Sequence, residues 1–453
     1  MTHAERAAAF LADPERARWH DASLWSLREK RDRAAAATPD WEALREAAAA
    51  LKRHTLEHMP FYLARFEERA TARGARVHWA RDADEHNAIA LGLLREAGVQ
   101  RVVKSKSMLT EECGTNAFLE ARGIEVVDTD LGERIVQLRR ERPSHIVMPA
   151  IHLRRREIGA LFHAKLGGPA GLEDPARLTE LARVDLRGRF LDAEAGLTGV
   201  NFAVAETGGL VVCTNEGNAD LGTLLPPLHI ASLGIEKLVP RAADLPVFLR
   251  LLARSATGQA QTAYTSHFHG PRAGGALHVV LVDHGRSALR ARPDFADALA
   301  CIRCGACMNT CPVFRRSGGH SYDAVIPGPI GSVLEPGRAP SAHASLPHAC
   351  SLCGSCRDVC PVKIDLPRQL VAWRGELLRS QRSRRLRRIG LHAARYALDR
   401  PRLFAALGTL ARLAARHLPQ RWPSGRWNAW TRERALPEAP RESFRALWRR
   451  RTR

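Results

Sequence analysis

Residues 301–312 read CIRCGACMNTCP, and residues 350–361 repeat the pattern as CSLCGSCRDVCP. Both runs have the spacing C-x2-C-x2-C-x3-C-P of bacterial two-cluster ferredoxins. Two-residue gaps let three thiolates wrap one corner of an iron–sulfur cubane, and Gly305 and Gly354 fit a tight turn where the backbone approaches it. The repeated motif therefore predicts an α-helical, ferredoxin-like module that holds two [4Fe-4S] clusters.

The fourth cysteine of each motif is carried away by a turn and a proline, so it is expected to bind the cluster of the other motif. The cysteines predicted for the first cluster are Cys301, Cys304, Cys307 and Cys360, and those for the second are Cys350, Cys353, Cys356 and Cys311. Structural zinc is the alternative, because paired C-x2-C motifs also form zinc ribbons. Zinc requires neither the third cysteine nor the trailing Cys-Pro, so two complete copies favour iron–sulfur clusters that exchange electrons.

Short apolar runs alternate with helical patterns upstream of the motifs. Strands are predicted at residues 77–80, 101–104, 124–128, 145–149, 202–205, 210–214, 229–233 and 278–282. Helices are predicted between the first of these strands, at residues 83–97, 108–122, 133–141 and 154–165. Strands that alternate with helices of this length indicate βαβ units and a mostly parallel sheet.

The chain divides into four predicted segments. They are an N-terminal helical segment at 1–75, an α/β domain at 76–290, the twin-cluster module at 291–370 and an Arg-rich extension at 371–453. Residues 41–73 have apolar side chains at helical spacing, whereas residues 317–347, rich in Gly, Pro and Ser, predict a long connecting loop. The fold class is therefore α/β, followed by the ferredoxin-like module and a basic helical tail.

Four polar runs lie near the ends of predicted strands. They are residues 104–112, residues 128–133, Asn201 with residues 206–208, and residues 215–218. One such run alone is more often a cap or turn, but together they predict a ligand or docking crevice, because open α/β sheets bind ligands there. Neither G-x-G-x-x-G nor G-x-x-x-x-G-K-[ST] occurs in the chain. Cys113 and Cys213 are predicted to be buried small residues rather than redox thiols.

The positive charge is concentrated at the C-terminus. The chain carries +21 overall, and residues 374–453 alone hold 22 Arg, no Lys and five acidic residues, a net +17. The segment is predicted to be helical to about His417, with Pro401 dividing it into two short helices and Pro419, Pro423, Pro437 and Pro440 interrupting the rest. Three interpretations stay open: a solvated tail, docking to an acidic partner subunit, and contact with an anionic membrane surface.

A cytoplasmic location is expected. The first 25 residues carry four acidic residues and no apolar core of a signal peptide, and no window approaches the ~18 apolar residues of a membrane span. Thiols stay reduced in the cytoplasm, where clustered cysteines indicate metal or redox ligands. Binding of the tail to anionic lipid would place the chain peripherally on the inner face of the cell membrane.

Short stretches along nearly the whole chain resemble the lactate-utilisation protein B family. They are residues 104–112, 129–133, 143–146, 149–152, 198–202, 205–208, 215–218, 234–237, 264–266, 328–331 and 361–364. The resemblance implies an α/β domain similar to those of sugar-phosphate isomerases and CoA transferases, and it supplies no catalytic residues. Some family members lack the first cysteine of the second motif, whereas Cys350 is present here, which strengthens the cluster assignment.

The resemblance also implies a function. It identifies the chain as the iron–sulfur electron-transfer subunit of a system that oxidises L-lactate to pyruvate for use as a carbon and energy source. The chain is then a non-catalytic subunit of an L-lactate dehydrogenase complex, with two partners: a cysteine-rich subunit of the heterodisulfide-reductase type and a smaller lactate-utilisation-domain protein. Another 2-hydroxy acid such as glycolate is an alternative substrate of the system.

A redox sensor that binds nucleic acid through the tail is an alternative from a different class. The tail lacks a helix-turn-helix pattern and aromatic residues at nucleic-acid spacing, so no nucleic-acid partner is predicted.

Overall fold

The computed structural model describes residues 1–380, 385–417 and 438–452. The strands within these residues are β1 (Arg76–Ala80), β2 (Arg101–Lys104), β3 (Glu125–Asp128), β4 (Ala195–Gly199), β5 (Phe202–Val204), β6 (Gly209–Thr214), β7 (Leu228–Gly234), β8 (Leu238–Val239), β9 (Tyr264–Phe268) and β10 (Ala276–Val282). Six of them form one sheet in the order β1-β10-β7-β4-β2-β3, and every neighbouring pair is parallel. The predicted α/β class with a mostly parallel sheet is thus confirmed.

The central strands are apolar because helices cover both faces of the sheet. Every residue of β4 and β7 is buried, and β10 is buried except at its first residue. In β7, Leu228 pairs with Ala276 of β10 on one side and with Ala195 of β4 on the other. The carboxyl ends of β2, β3, β4 and β7 therefore meet along one edge.

A second, four-stranded sheet has the order β8-β5-β6-β9. β5 and β6 form an antiparallel hairpin, and β6 pairs antiparallel with β9. The hairpin turns at Gly208, whose φ is +68° and at which a side chain would collide with the backbone of Ala70. The sequence pattern predicted strands at 202–205 and 210–214 but not this separate sheet.

The helices of the described residues are α1 (His3–Leu11), α2 (Pro14–Ala36), α3 (Trp41–Glu57), α4 (Met59–Ala72), α5 (Ala83–Glu96), α6 (Met108–Glu112), α7 (Thr115–Glu120), α8 (Leu131–Arg139), α9 (Arg155–Leu166), α10 (Pro175–Leu191), α11 (Asn218–Leu224), α12 (Leu245–Thr257), α13 (Arg286–Arg290), α14 (Ala306–Thr310), α15 (Pro312–Ser317), α16 (Gly328–Arg338), α17 (Ser355–Asp358), α18 (Leu366–Ser380), α19 (Arg385–Leu398), α20 (Pro401–His417) and α21 (Phe444–Arg451). Two helical stretches predicted as continuous are interrupted. Residues 41–73 break at His58, just before Pro60, and residues 108–122 break at Gly114, whose φ is +62°.

The predicted strand at 145–149 is wrong. His145 turns its ring back onto its own loop, where Nδ1 accepts the backbone N–H groups of Val147 and Met148 at 3.0 and 3.1 Å. The N–H of Ser144 donates to the carbonyl of Pro149 at 2.9 Å. Because these backbone groups are satisfied locally, the segment forms a loop at the edge of the sheet instead of a strand.

The predicted long loop at 317–347 is also wrong. It contains α16, in which Gly328 to Pro336 are all buried. A Cβ at Gly331 would lie 1.5 Å from the carbonyl oxygen of Ile326, so glycine is what permits this close packing. The indole N–H of Trp373 donates to the carbonyl of Val333 at 2.9 Å and ties α18 to α16.

One compact unit spans Met1–Leu377, and a second spans Leu378–Arg453. The first unit includes the N-terminal helices, the α/β domain and the cysteine module, and one apolar core runs through Leu24, Phe66, Phe248, Met308 and Trp373. Its three parts share that core, and the predicted domain boundaries stay predictions.

The described residues of the second unit are mostly helical. α19 ends at Leu398 and α20 begins at Pro401, which confirms the predicted break. None of the residues of α20 is buried. Pro419, Pro423 and Pro437 lie outside the described residues. Within the part of the chain that the structure describes, no helix combines the length and apolarity needed to cross a membrane.

Candidate functional site

A crevice of about 530 Å³ opens at the carboxyl ends of β2, β3, β4 and β7. All four predicted polar runs contribute to it, the third of them through Asn201 alone. Its polar lining residues include Lys106, Ser107, Glu112, Asp130, Asn201, Asn215, Glu216, Asn218, Glu236, Lys237, Arg286 and Arg303. Residues 206–208 of the third run instead form the turn between β5 and β6. Cys304 of the first cysteine motif also lines the crevice, so the α/β domain and the cysteine module meet there.

Lys104 lies beneath the crevice rather than in it. Its Nζ lies 2.8 Å from Asp128 Oδ1, 3.0 Å from Glu111 Oε1 and 3.7 Å from Glu133 Oε2. Burial lowers the pKa of Lys104, but the three carboxylates outweigh it and hold the pKa well above its usual range. Burial raises the pKa of Glu133 well above its usual range, while the attraction of Lys104 opposes the rise. This network joins β2, β3, α6 and α8 and stabilises the floor of the site.

One end of the crevice holds Lys106, Asp130 and Glu216. Lys106 Nζ lies 2.7 Å from Asp130 Oδ2 and donates to the carbonyl of Val147 at 3.0 Å. Glu216 Oε2 accepts the N–H of Leu131 at 3.1 Å. Burial and the nearby Asp130 raise the pKa of Glu216 to about 7. This end therefore carries a net negative charge when Glu216 is ionised.

The opposite end is built around Glu112. Its carboxylate pairs with Arg286 Nη2 at 2.8 Å, with Arg303 Nη2 at 3.2 Å and with Arg338. Arg286 also pairs with the buried Glu236. Burial raises the pKa of Glu112, but the three guanidinium groups outweigh it and hold the pKa far below its usual range. Because Arg303 belongs to the first cysteine motif, this ion-pair network fastens the motif to the crevice.

The two cysteine motifs adopt the same turn. Arg303 and Leu352, the residues before the second cysteine of each motif, have φ values of +61° and +57°. The N–H of Arg303 donates to Cys301 Sγ at 3.4 Å, and the N–H of Leu352 donates to Cys350 Sγ at 3.3 Å. Such N–H to sulfur bonds orient and tune cluster-binding thiolates. The duplicated sequence therefore folds as a duplicated structure.

The last cysteine of each motif turns toward the other motif. Burial raises the pKa of Cys311 to about 11. The backbone N–H groups of Val313 and Phe314 lower this pKa, whereas the nearby Cys350 and Cys353 raise it further. Burial likewise raises the pKa of Cys360 to about 11, with a contribution from Cys301. The crossed ligand assignment requires this arrangement; which cysteine binds which cluster stays a prediction.

The chemistry of the donors fits an iron–sulfur group. Burial and four neighbouring thiols hold the pKa of Cys307 well above its usual range, so these sulfurs need a cationic partner to ionise together. One small cavity is lined by the four cysteines predicted for the second cluster: Cys311, Cys350, Cys353 and Cys356. No three His, Cys, Asp or Glu side chains of the described residues converge as ligands of a single ion.

The two cysteine sets differ in exposure. Each set has two buried cysteines, Cys304 and Cys360 in the first and Cys311 and Cys356 in the second, but only the second contains an exposed one, Cys353, next to the exposed Leu352. Outside the motifs, burial raises the pKa of Cys113 to about 12 and of Cys213 to about 11, which suits inert thiols. The first set therefore reaches the crevice through Cys304, and the second reaches the surface through Cys353.

Sequence reasoning missed several residues of the site. Arg286 lies in α13, where no motif marks it, and Arg303 was quoted only as a spacer between two cysteines. Glu236 and Lys237 stood within a recognised family stretch without a role. The part that these charged residues play in the site follows from ion pairs and positions that only the three-dimensional structure shows.

The chain is similar to known proteins over both the crevice and the motifs. The family described as LUD domain matches residues 63–289, and the family described as 4Fe-4S dicluster domain matches residues 297–364. The uncharacterized electron transport protein YkgF of Escherichia coli (strain K12) is 40% identical over 90% of this chain and 87% of its own length.

Proteins named lactate utilization protein B show similar sequence identity and coverage. The one from Shouchella clausii (strain KSM-K16) is 40% identical over 90% of this chain and 88% of its own length. The one from Exiguobacterium sp. (strain ATCC BAA-1283 / AT1b) is 39% identical over 94% of this chain and 92% of its own length. The similarity therefore extends over nearly the full length of both chains.

Proposed function

Because this chain belongs to the lactate utilization protein B family, we propose that it is the iron–sulfur electron-transfer subunit of a system that oxidises L-lactate to pyruvate. The observation that carries the proposal is the position of Cys304. This predicted cluster ligand lines the crevice of the α/β domain, so the cysteine module reaches a cavity of ligand size.

The eight motif cysteines are proposed to hold two [4Fe-4S] clusters in the crossed arrangement. When bound, the clusters supply one-electron transfer. The protein orients the thiolates through the N–H groups of Arg303, Phe314, Leu352 and Ile364, each of which donates to a cysteine sulfur. Burial of Cys304 and Cys360 limits the contact of these two sulfurs with water.

Partner subunits are part of the proposal. Oxidation of a 2-hydroxy acid removes two electrons at once, and the chain has neither common nucleotide fingerprint, so the first acceptor must be elsewhere. The proposed partners are a cysteine-rich subunit of the heterodisulfide-reductase type and a smaller lactate-utilisation-domain protein. Exposure of Cys353 and Leu352 supports a partner contact at the second set of cysteines.

Deletion of the gene in its host is expected to abolish growth on L-lactate as sole carbon source while growth on pyruvate continues. A copy carrying Cys304→Ser should fail to restore growth, because one cluster loses a ligand. A copy with Cys113→Ser, outside the motifs, should restore it. Growth of the deletion strain on L-lactate at the parental rate would contradict the proposal.

Parallel cultures on glycolate separate the second candidate substrate from the first. Loss of growth on glycolate with normal growth on L-lactate would assign the subunit to another 2-hydroxy acid. The purified chain alone should not reduce a dye with L-lactate. Reduction by the chain in the absence of every partner would refute its role as a non-catalytic subunit.

The tail is proposed to dock onto a partner subunit, with an anionic membrane surface as the second candidate. Apolar side chains stay exposed along α19 and α20, among them Ile389, Leu391, Phe404, Leu407 and Leu410. The charged residues of these helices are arginines, which suit an acidic partner surface as well as an anionic membrane surface.

Truncation after Leu377 is expected to prevent complex assembly while leaving the first unit folded. A cut at Leu370, the predicted domain end, would remove the buried Trp373 and disturb the core. Co-purification of the truncated chain with its partners measures docking, and flotation with vesicles of anionic lipid measures membrane contact. Intact assembly with loss of vesicle binding would assign the tail to the membrane, and no change in either would refute both roles.

A further inference from the structure

Two basic side chains at the Glu112 end of the crevice, Lys237 and Arg303, have a nitrogen that no described residue pairs with. Lys237 lines the crevice and forms no hydrogen bond or ion pair with any residue that the structure describes. Arg303 contacts Glu112 through Nη2, but its Nη1 is buried and has no hydrogen-bond partner among those residues. Buried donors in native proteins are nearly always satisfied, so an unpaired one points to an acceptor that binds there.

The carboxylates nearby pair mostly with arginines, although Glu236 Oε1 lies 4.0 Å from Arg303 Nη2 and has no hydrogen-bond partner among the described residues. Glu112 is shared by three arginines, and Glu236 pairs with Arg286. The buried Lys52 adds a further positive charge, because its Nζ donates to the carbonyl of Glu236. The basic groups here are Lys52, Lys237, Arg286, Arg303 and Arg338, against three carboxyl groups, those of Glu112, Glu236 and Glu335. This end of the crevice therefore has a positive excess.

The rest of the crevice suits an organic body. Its apolar lining includes Met108, Leu109, Ile146, Val200, Leu233 and Leu252. The cavity of about 530 Å³ lies in the range of sites for organic ligands and far exceeds a three-carbon acid. A ligand that fills it would combine an apolar portion with an anionic group at Lys237 and Arg303.

We propose that the crevice binds an organic anion, larger than L-lactate, whose carboxylate or phosphate group contacts Lys237 and Arg303 beside Cys304. A bidentate guanidinium and a flexible ammonium group together suit either oxyanion. The site is independent of which 2-hydroxy acid the system oxidises. Binding next to Cys304 also places the ligand where the first cysteine set can sense it.

The test uses the full-length, cluster-containing protein under anaerobic conditions. Isothermal titration with phenyl phosphate and with benzoate measures the Kd of an aromatic body carrying each anionic group, and the tighter of the two identifies the oxyanion. Inorganic phosphate and L-lactate serve as small anions, and phenol as the neutral analogue. We expect one aromatic anion to bind at least about 10-fold more tightly than the small anions and phenol.

Lys237→Ala should weaken binding of that aromatic anion by about 10-fold or more, and Lys237→Arg should largely restore it. Lys165→Ala, a change at an exposed lysine of α9, should leave the Kd unchanged. Binding should also alter the electron paramagnetic resonance spectrum of the first cluster and not that of the second.

Three results would overturn the proposal: no probe binding at about 10 mM, equal binding of phenol, or an unchanged Kd in Lys237→Ala. Lys237 also lies near Cys301, so it could serve only to neutralise the first cluster. A shifted reduction potential with unchanged probe binding in Lys237→Ala would establish that role instead. Normal growth of the deletion strain on L-lactate would refute the proposed function without affecting this binding test.

Discussion

Replacement of Cys311 by alanine is expected to remove the second cluster and leave the first, although Cys311 belongs to the first motif. Its neighbours among the thiols are Cys350 and Cys353, and it lines the same small cavity as Cys356. Iron in the anaerobically purified protein should fall from about eight to about four per chain. Electron paramagnetic resonance of the reduced protein should show one remaining cluster signal.

Two further variants make the result specific. Cys301→Ala should remove the other signal, since Cys301 faces Cys304 and Cys360. Cys113→Ala, a change at a buried cysteine outside the motifs, should keep all the iron. Loss of the same signal in Cys311→Ala and Cys301→Ala would show that the crossed assignment is wrong.

Replacement of Glu112 by alanine is expected to lower the free energy of unfolding by about 3–5 kcal/mol, because it leaves buried guanidinium groups without their carboxylate. Glu112 is 1% exposed and pairs with Arg286, Arg303 and Arg338. Urea denaturation of the anaerobic protein, followed by circular dichroism, should show a lower midpoint at an unchanged slope.

An exposed ion pair provides the control. Glu180 pairs with Arg183 on the surface of α10, and Glu180→Ala should barely move the midpoint. Glu112→Gln should destabilise less than Glu112→Ala, because the amide oxygen still accepts a hydrogen bond. Equal midpoints for Glu112→Ala and Glu180→Ala would mean that the network contributes little to stability.

The cysteine module and the parallel sheet could be predicted because their signals are local. The motif spacing sets the turn at Arg303 and Leu352, and short apolar runs mark buried parallel strands such as β2 and β10. The runs after β2 and β3, and Asn201 after β4, line the crevice because these parallel strands end along one edge, whereas residues 215–218 reach it from the end of β6 in the second sheet. The spacing of residues along the chain was sufficient to predict these features.

Other features depend on contacts between distant residues. Residues 317–347 have the composition of a loop, but Gly331 lets α16 pack against Ile326 and become part of the core. The charge pairing of Glu112 with Arg286, Arg303 and Arg338 joins residues far apart in sequence. A ring nitrogen of His145 accepts hydrogen bonds from the backbone of its own loop, and a strand-like sequence pattern cannot reveal such bonds. No sequence periodicity carries such information.

The iron, acid-labile sulfide and zinc content of the anaerobically purified chain tests the central claim most directly. The account predicts about eight irons and about eight sulfides per chain, from two four-iron clusters on the eight motif cysteines, with no stoichiometric zinc. A preparation with stoichiometric zinc and no labile sulfide would contradict the account, since the paired motifs would then be structural zinc sites without an electron-transfer role.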